Sequence, residues 1–150
     1  MATFRDRRVV EFADTDMAGI VHFANFFRFM EAAEHAYLRA CGLSVFHVFD
    51  GQTVTFPRVS SSCDYLSPAR FADVLEVEVR VARIGRSSVQ YAFTFYKGTE
   101  EVARGQITAV LCRVREDRSL EPFPVPEPIR QALLAGPHKV QPSPGCPPTG

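Results

Sequence analysis

The spacing of apolar residues changes from three or four positions to two along this chain. In the first third of the sequence, apolar residues recur with helical periodicity at Phe26, Met30, Ala33, Tyr37 and Cys41. Asn25 precedes them as a candidate N-cap, and Gly42 follows as a helix-stop signal. The pattern predicts a helix of about 16 residues, roughly 24 Å long, with charged residues, Glu34 among them, between the apolar positions.

The rest of the chain alternates apolar and polar residues, which is typical of strands with one buried face. This alternation predicts strands at residues 4–12, 54–65, 74–84, 89–95 and 102–114. The second should bend near Pro57, because proline lacks a backbone N–H for the sheet. Glycine-containing turns join the last three strands as hairpins, which requires antiparallel pairing.

The connecting segments carry weaker signals. Residues 43–52 are apolar but short, and we expect an irregular connection containing one helical turn. Four prolines between residues 122 and 128 predict an extended crossing segment, and residues 128–134 predict a short terminal helix. Residues 136–150 are rich in proline and glycine, as in disordered tails. We therefore expect a single domain at residues 1–135 and a disordered tail after it.

These elements predict an α+β architecture, with one long helix packed on one antiparallel sheet. Small residues support this arrangement on both sides of the interface. On the helix they are Ala32, Ala33, Ala36 and Ala40, and on the last strand Ala103, Gly105 and Ala109 share one face with Ile107 and Leu111. Such a sheet has a second face and open edges, so we expect the chain to form dimers.

Composition narrows the possible functions. The 150 residues include 17 Lys plus Arg and 17 Asp plus Glu, so the formal net charge is zero and broad electrostatic binding to nucleic acid or membrane is not expected. No apolar run approaches the roughly 20 residues of a membrane span, and the N-terminus lacks a signal-peptide core. The four cysteines form no CxxC pair, which predicts neither a metal site nor a disulfide framework and favours the cytoplasm.

The loop before the helix carries the candidate chemistry. Asp14 and Asp16 lie in it, and Gly19 permits a tight backbone turn. A carboxylate there can cap the helix. Alternatively, N–H groups near Phe23 and Ala24 could polarise a carbonyl while Asp16 attacks it or activates water. Asp16 precedes the candidate cap by about nine positions, which weakens the capping interpretation for Asp16 without excluding it.

The acidity of aspartate indicates which acyl group such a site could use. An Asp with an ordinary pKa of about 4 is ionised at neutral pH but is a weak base. It suits an activated acyl group such as a thioester, whose leaving thiolate needs little help from a proton. The loop therefore favours acyl transfer to water without a Ser or Cys nucleophile.

The run from Asp14 to Glu31, DTDMAGIVHFANFFRFME, resembles the active-site segment of the 4-hydroxybenzoyl-CoA thioesterase family. The shared pattern is D-x-D-x-x-G-x-V-x-x-x-N followed by an aromatic-rich helix, and the element order agrees over about residues 4 to 115. The resemblance implies the hot-dog fold, a five-stranded antiparallel sheet wrapped around one long helix. It also implies a homodimer or homotetramer that hydrolyses an acyl-CoA at the dimer interface, with no cofactor and no metal.

The resemblance also assigns roles by position. It implies Asp16 as nucleophile or general base and the backbone N–H of Phe23 as the group that polarises the thioester carbonyl. The substrate-binding positions it implies are His22, Asn25, Glu31, Arg86, Ser87 and Ser88. Among these, Glu31 faces substrate across the dimer, and Arg86 to Ser88 meet the CoA phosphates. The chain departs from many relatives in having Phe rather than Tyr at position 23 and a single Arg after Gly85.

Three other functions compete with thioester hydrolysis. Aspartate-dependent phosphatases also carry Asp-x-Asp after a strand, but they need a parallel sheet, whereas this chain predicts hairpins. A hot-dog enoyl-CoA hydratase would use Asp16 and His22, although the Gly-Asp-x-Asn-Pro context of those enzymes is absent. A non-catalytic acyl-CoA-binding hot-dog protein is the third alternative.

Overall fold

The computed structural model describes residues 3–137. The helices are α1 (Asn25–Ala40) and α2 (Glu127–Ala135). The strands are β1 (Phe4–Val9), β2 (Phe46–Phe49), β3 (Gln52–Thr55), β4 (Arg58–Tyr65), β5 (Val74–Ile84), β6 (Ser88–Lys97), β7 (Glu100–Val110), β8 (Cys112–Val114) and β9 (Leu120–Pro122). Most of the predicted tail at 136–150 lies outside the described residues, so the domain boundary stays a prediction.

Five strands form the main sheet in the order β1-β5-β6-β7-β4, with every neighbouring pair antiparallel. They correspond to the five predicted strands, so the predicted sheet is confirmed. The first strand ends at Val9 rather than at residue 12. A short 3-10 turn, Phe12–Asp14, follows it, in which the Asp14 side chain accepts the N–H of Glu11 at 2.8 Å.

Helix α1 packs against this sheet through the predicted apolar stripe, whose five members are all buried. Gly105 on β7 faces Met30 of the helix, and a Cβ at that glycine would overlap the Met30 sulfur and lie 3.0 Å from its terminal methyl. The predicted small-residue face on the last long strand is therefore confirmed at its closest point.

The two ends of α1 differ from each other in how well the sequence predicted them. Asn25 is the first helical residue and not its cap, so that prediction is wrong; its Nδ2 instead donates to the Asp14 carbonyl at 2.9 Å. At the other end, Gly42 has a φ of +77° and the N–H of Leu43 donates to the Leu38 carbonyl at 2.8 Å. This is a Schellman motif, and it confirms the predicted stop.

A second sheet, in the order β2-β3-β8-β9, was not predicted. Residues 43–52 were expected to be irregular, but they contain β2 and the turn of the β2–β3 hairpin. In that turn Asp50 and Gly51 both have positive φ, at 51° and 72°. Such Asp-Gly pairs form the two-residue turns that match strand twist. The predicted strands at 54–65 and 102–114 are each divided between the two sheets, the first at Phe56 and Pro57.

The short terminal helix α2 confirms the helix predicted at residues 128–134. It buries Ile129 and Leu133, and the hydroxyl of Tyr37 donates to the Leu133 carbonyl at 2.7 Å. The fold implied by the resemblance, one sheet around one helix, is thus present but incomplete, since a second sheet and a second helix accompany it. Neither helix between residues 3 and 137 combines the length and apolar character needed to cross a membrane.

Candidate active site

The two aspartates of the loop have different surroundings. Asp14 is buried, and its carbonyl accepts both the N–H of His22 and the Nδ2 of Asn25, each at 2.9 Å. Its carboxylate accepts the N–H of Glu11 and lies 3.9 Å from the guanidinium of Arg8. Asp14 therefore fixes the loop to the helix start.

Asp16 is only partly buried and holds a tight turn of its own. Its Oδ1 accepts the N–H of Ala18 at 2.8 Å, and its backbone bonds to Gly19 and Ile20 close the turn. Gly19 has the positive φ, +77°, that its sequence position predicted. The side chain bonds to no N–H of the helix, so the capping interpretation of Asp16 is wrong, and Oδ2 has no partner within residues 3–137.

Asp16 lies in the wall of a cavity of about 590 Å³. The loop, the start of α1 and the end of β4 with the segment after it form this wall, and its members are Asp16, Ile20, Val21, Phe23, Phe26, Tyr65, Leu66, Ser67, Pro68 and Ala69. Most are apolar, so the cavity offers one carboxylate against a largely hydrophobic surface. This composition is typical of sites that bind an apolar group and orient it with few polar contacts.

The N–H groups at the start of α1 are not equally available. The N–H of Ala24 donates to Nδ1 of His22 at 3.1 Å, and the N–H of Asn25 donates to the His22 carbonyl at 2.9 Å. The N–H of Phe23 has no acceptor among residues 3–137. Of the two N–H groups that the sequence proposed as carbonyl-polarising donors, the one on Phe23 is therefore free.

Tyr65, at the end of β4, is a site residue that the sequence analysis missed. Its side chain lines the cavity, and its hydroxyl donates to the Phe23 carbonyl at 2.9 Å. Its ring makes an edge contact with Phe26, with ring centroids 5.3 Å apart. In the sequence Tyr65 ends an alternating strand 42 positions after Phe23, and no local pattern links the two.

The remaining predicted site residues are not part of the wall of this cavity. His22 is exposed and stacks on Phe23, Asn25 bonds to the loop, and Glu31 is exposed on α1. Arg86 and Ser87 lie in the β5–β6 turn, and Ser88 begins β6, where it pairs with Val110. Tyr65 pairs with Ala103 of the same β7 strand, so this turn lies roughly 23 Å along the sheet from the cavity at about 3.3 Å per residue.

The cysteines offer no alternative nucleophile in the described part of the chain. Burial raises the pKa of the thiols of Cys41, Cys63 and Cys112, and that of Cys63 rises to about 11. A thiol with a raised pKa forms little of the reactive thiolate at neutral pH. Residues 3–137 also contain no cluster of three or more His, Cys, Asp or Glu side chains placed to hold a metal ion.

The chain is similar in sequence to known thioesterases and CoA hydrolases. Residues 18–104 match the family model described as the thioesterase superfamily. A 1,4-dihydroxy-2-naphthoyl-CoA hydrolase from Synechococcus elongatus is 32% identical over 125 residues, covering 83% of this chain and 91% of the relative. The corresponding hydrolase of Thermosynechococcus vestitus is 31% identical over 134 residues, covering 89% and 90%.

Solved structures give the same result. A 1,4-dihydroxy-2-naphthoyl-CoA thioesterase from Synechocystis superposes with a TM-score of 0.75 at 25% identity, covering 89% of this chain and 96% of its own. A 4-hydroxybenzoyl-CoA thioesterase mutant, solved with 4-hydroxybenzoyl-CoA, gives a TM-score of 0.78 at 25% identity, covering 87% and 98%. With its hot-dog sheet and helix and its match over more than half its length, this chain belongs to the thioesterase superfamily.

Proposed function

We propose that the protein is an acyl-CoA thioesterase that hydrolyses a CoA thioester to the free acid and CoA. Membership of the thioesterase superfamily and the names of the Synechococcus and Thermosynechococcus relatives, both CoA hydrolases, support this activity. The observation that carries it is the cavity itself, because Asp16 and Phe23 belong to one apolar wall and the N–H of Phe23 has no acceptor in the described part of the chain.

In the proposed reaction the thioester carbonyl oxygen accepts the N–H of Phe23. That N–H stabilises the negative charge that develops on the oxygen when the carbonyl carbon is attacked. The helix start adds to this effect, since the N-terminal end of a helix dipole favours negative charge. Phe23 thus acts through its backbone, and the absence of a tyrosine hydroxyl at this position does not remove the donor.

Asp16 brings about the attack on the thioester carbonyl carbon in one of two ways. As a nucleophile, its free Oδ2 attacks the carbonyl carbon, the C–S bond breaks, and water then hydrolyses the mixed anhydride. As a general base, it takes a proton from water while the oxygen of that water attacks, and the proton ends on the departing thiolate. The bond from Ala18 to Oδ1 orients the carboxylate in either case.

The acyl group that suits the cavity is apolar, and we propose that it is aromatic. Phe23, Phe26 and Tyr65 supply ring surfaces to the wall, and a volume of about 590 Å³ accommodates one or two fused rings. The names of the relatives, which act on 1,4-dihydroxy-2-naphthoyl-CoA and 4-hydroxybenzoyl-CoA, support the same choice.

A second copy of the chain would complete the site. Within one chain, Glu31 is not part of the cavity wall and Arg86–Ser88 lie at the far end of the sheet, whereas the proposed roles need them near the substrate. We therefore propose a homodimer or homotetramer in which Glu31 faces the acyl group and Arg86 contacts the CoA phosphates from the neighbouring subunit. A cytoplasmic location is part of this proposal.

The hydratase alternative is weaker in this geometry. A hydratase would need the His22 imidazole beside the bound thioester, but Nδ1 of His22 already accepts the N–H of Ala24, and the ring stacks on Phe23 at 4.6 Å. His22 is not part of the cavity wall. A non-catalytic binding protein would keep the cavity and lack turnover.

The test is thiol release from a panel of aromatic and aliphatic CoA thioesters, with wild type, Asp16→Asn and Asp50→Asn compared side by side. Asp16→Asn should reduce kcat by about a hundredfold or more, while Asp50→Asn, in the exposed β2–β3 turn, makes the same chemical change and should leave it unaltered. Wild-type rates in a folded Asp16→Asn protein would refute the role of Asp16. Hydration of an enoyl-CoA by the protein would favour the hydratase function. Binding of CoA thioesters without turnover would favour the non-catalytic binding protein.

A further inference from the structure

The peptide units at the start of α1 are held from several directions. The Phe23–Ala24 peptide is bonded at both ends, since its carbonyl accepts the Tyr65 hydroxyl at 2.9 Å and its N–H donates to His22 at 3.1 Å. The carbonyl and N–H of a planar trans peptide point in opposite directions. Two such bonds therefore fix the orientation of the whole unit.

The preceding peptide carries the free donor. Its carbonyl, on His22, accepts the N–H of Asn25 at 2.9 Å, and its N–H is that of Phe23. The direction of the Phe23 N–H depends on this peptide and on the one after it, because both share the Phe23 backbone. Of the hydrogen bonds that residues 3–137 make to these two units, only the one from Tyr65 comes from outside the segment 22–25.

Tyr65 itself belongs to the main sheet. It is the last residue of β4, paired with Ala103 of β7, and its ring packs against Phe26. Its hydroxyl also provides the hydrogen-bond donor for the carbonyl oxygen of Phe23, a residue that lines the cavity. Burial raises the pKa of this hydroxyl above its usual range, so it remains a donor throughout the neutral range.

We propose that Tyr65 is a positioning residue for thioester hydrolysis, whose hydroxyl holds the Phe23 carbonyl so that the Phe23 N–H faces the reacting oxygen. This inference rests on the proposed function, because Tyr65 acts through the Phe23 N–H that the proposed reaction uses. The hydrogen bond from the Tyr65 hydroxyl to the Phe23 carbonyl connects the edge strand β4 to the start of α1.

The hydroxyl can be removed without changing the shape of the wall by Tyr65→Phe. The matched control is Tyr96→Phe, because Tyr96 lies on β6 outside the cavity and its hydroxyl makes no hydrogen bond within residues 3–137. Thiol release gives kcat and KM for both variants with the best substrate of the panel. We expect Tyr65→Phe to lower kcat about fivefold to twentyfold with KM within twofold, and Tyr96→Phe to change neither.

A second measurement separates positioning from support of the fold. In a ¹H–¹⁵N spectrum, loss of the bond to the Phe23 carbonyl should shift the amide signals of Phe23 and Ala24, while most signals from the sheet stay in place. Unchanged amide signals with unchanged kcat would overturn the proposal. So would a raised KM with unchanged kcat, which would make Tyr65 only a wall of the pocket.

The outcomes also distinguish this inference from the function on which it rests. If Asp16→Asn is inactive and Tyr65→Phe retains the wild-type kcat, thioester hydrolysis stands and the role of Tyr65 is refuted. If the wild type hydrolyses none of the thioesters, the proposed function fails and the role of Tyr65 in that reaction fails with it.

Discussion

The guanidinium of Arg58 donates to Oε2 of Glu34 at 2.7 Å, and the Glu34 side chain has no exposed surface. The other carboxylate oxygen of Glu34 has no partner within residues 3–137. Nε2 of His35 lies 3.3 Å from the same guanidinium nitrogen. The Arg58–Glu34 ion pair joins the middle of α1 to the first residue of β4, the strand that ends in Tyr65. It therefore helps to set the position of β4 relative to the helix.

Arg58→Ala should strongly destabilise the protein, because it leaves the buried Glu34 carboxylate without its counter-charge. Removing one partner of a buried ion pair reduces the free energy of unfolding by about 3–5 kcal/mol. Urea denaturation measures this loss. Arg80→Ala, on an exposed arginine of β5 that forms no ion pair in the described chain, is the control and should change the free energy by under about 0.5 kcal/mol.

The stability of the protein should also depend on pH through Glu34. Burial raises the pKa of the folded-state Glu34 carboxyl above its ordinary 4.5 despite the attraction of Arg58. The folded state therefore binds this proton more tightly than the unfolded state does. Protonation of Glu34 stabilises the folded protein fully below pH 4.5, and this stabilisation is lost as pH rises through the folded-state pKa.

Comparison of wild type with Glu34→Gln isolates this effect, since glutamine does not titrate. The free energy of unfolding of the wild type, relative to the variant, should decrease as pH rises from about 4 to 8. Denaturation curves at four or five pH values provide the measurement. A difference that increases with pH would show instead that Arg58 holds the pKa of Glu34 below its usual value.

Gly105→Ala should destabilise the helix–sheet interface, because the added methyl would overlap the side chain of Met30. Overpacking of this kind typically reduces the free energy of unfolding by about 1–3 kcal/mol. Ser61→Ala, an exposed position on the neighbouring strand β4, is the control. In a double-mutant cycle, Met30→Ala should relieve part of the loss, so additive effects of the two substitutions would contradict the proposed overlap.

Thioester hydrolysis should survive treatment with iodoacetamide, because none of the described thiols is a reactive thiolate. With its pKa raised to about 11, Cys63 should react in the folded protein on the order of a hundredfold more slowly than in the unfolded chain. Peptide mass mapping after treatment, with and without denaturant, measures the difference. Loss of activity in step with alkylation of Cys41, Cys63 or Cys112 would refute the prediction.

The elements of the main sheet and the long helix could be predicted because their signals are local. A period of 3.6 or 2 residues identifies α1 and the five long strands, and Gly42 marks the end of the helix. The same applies to the loop of Asp16, where Gly19 adopts the turn that its sequence position indicated. The second sheet was missed because its strands are only three or four residues long, too short for periodicity to distinguish from irregular chain.

The sequence by itself determined the long helix and the five long strands, and it placed a carboxylate in the loop before that helix. Only the tertiary structure decided which side chains meet: Arg58 with Glu34, 24 positions apart, and Tyr65 with Phe23, 42 positions apart. Periodicity marked Glu34 as polar and Tyr65 as the end of a strand, but it could not place them together. Backbone preferences act over a few residues, whereas these contacts depend on how β4 packs beside α1, which is set by the whole core at once.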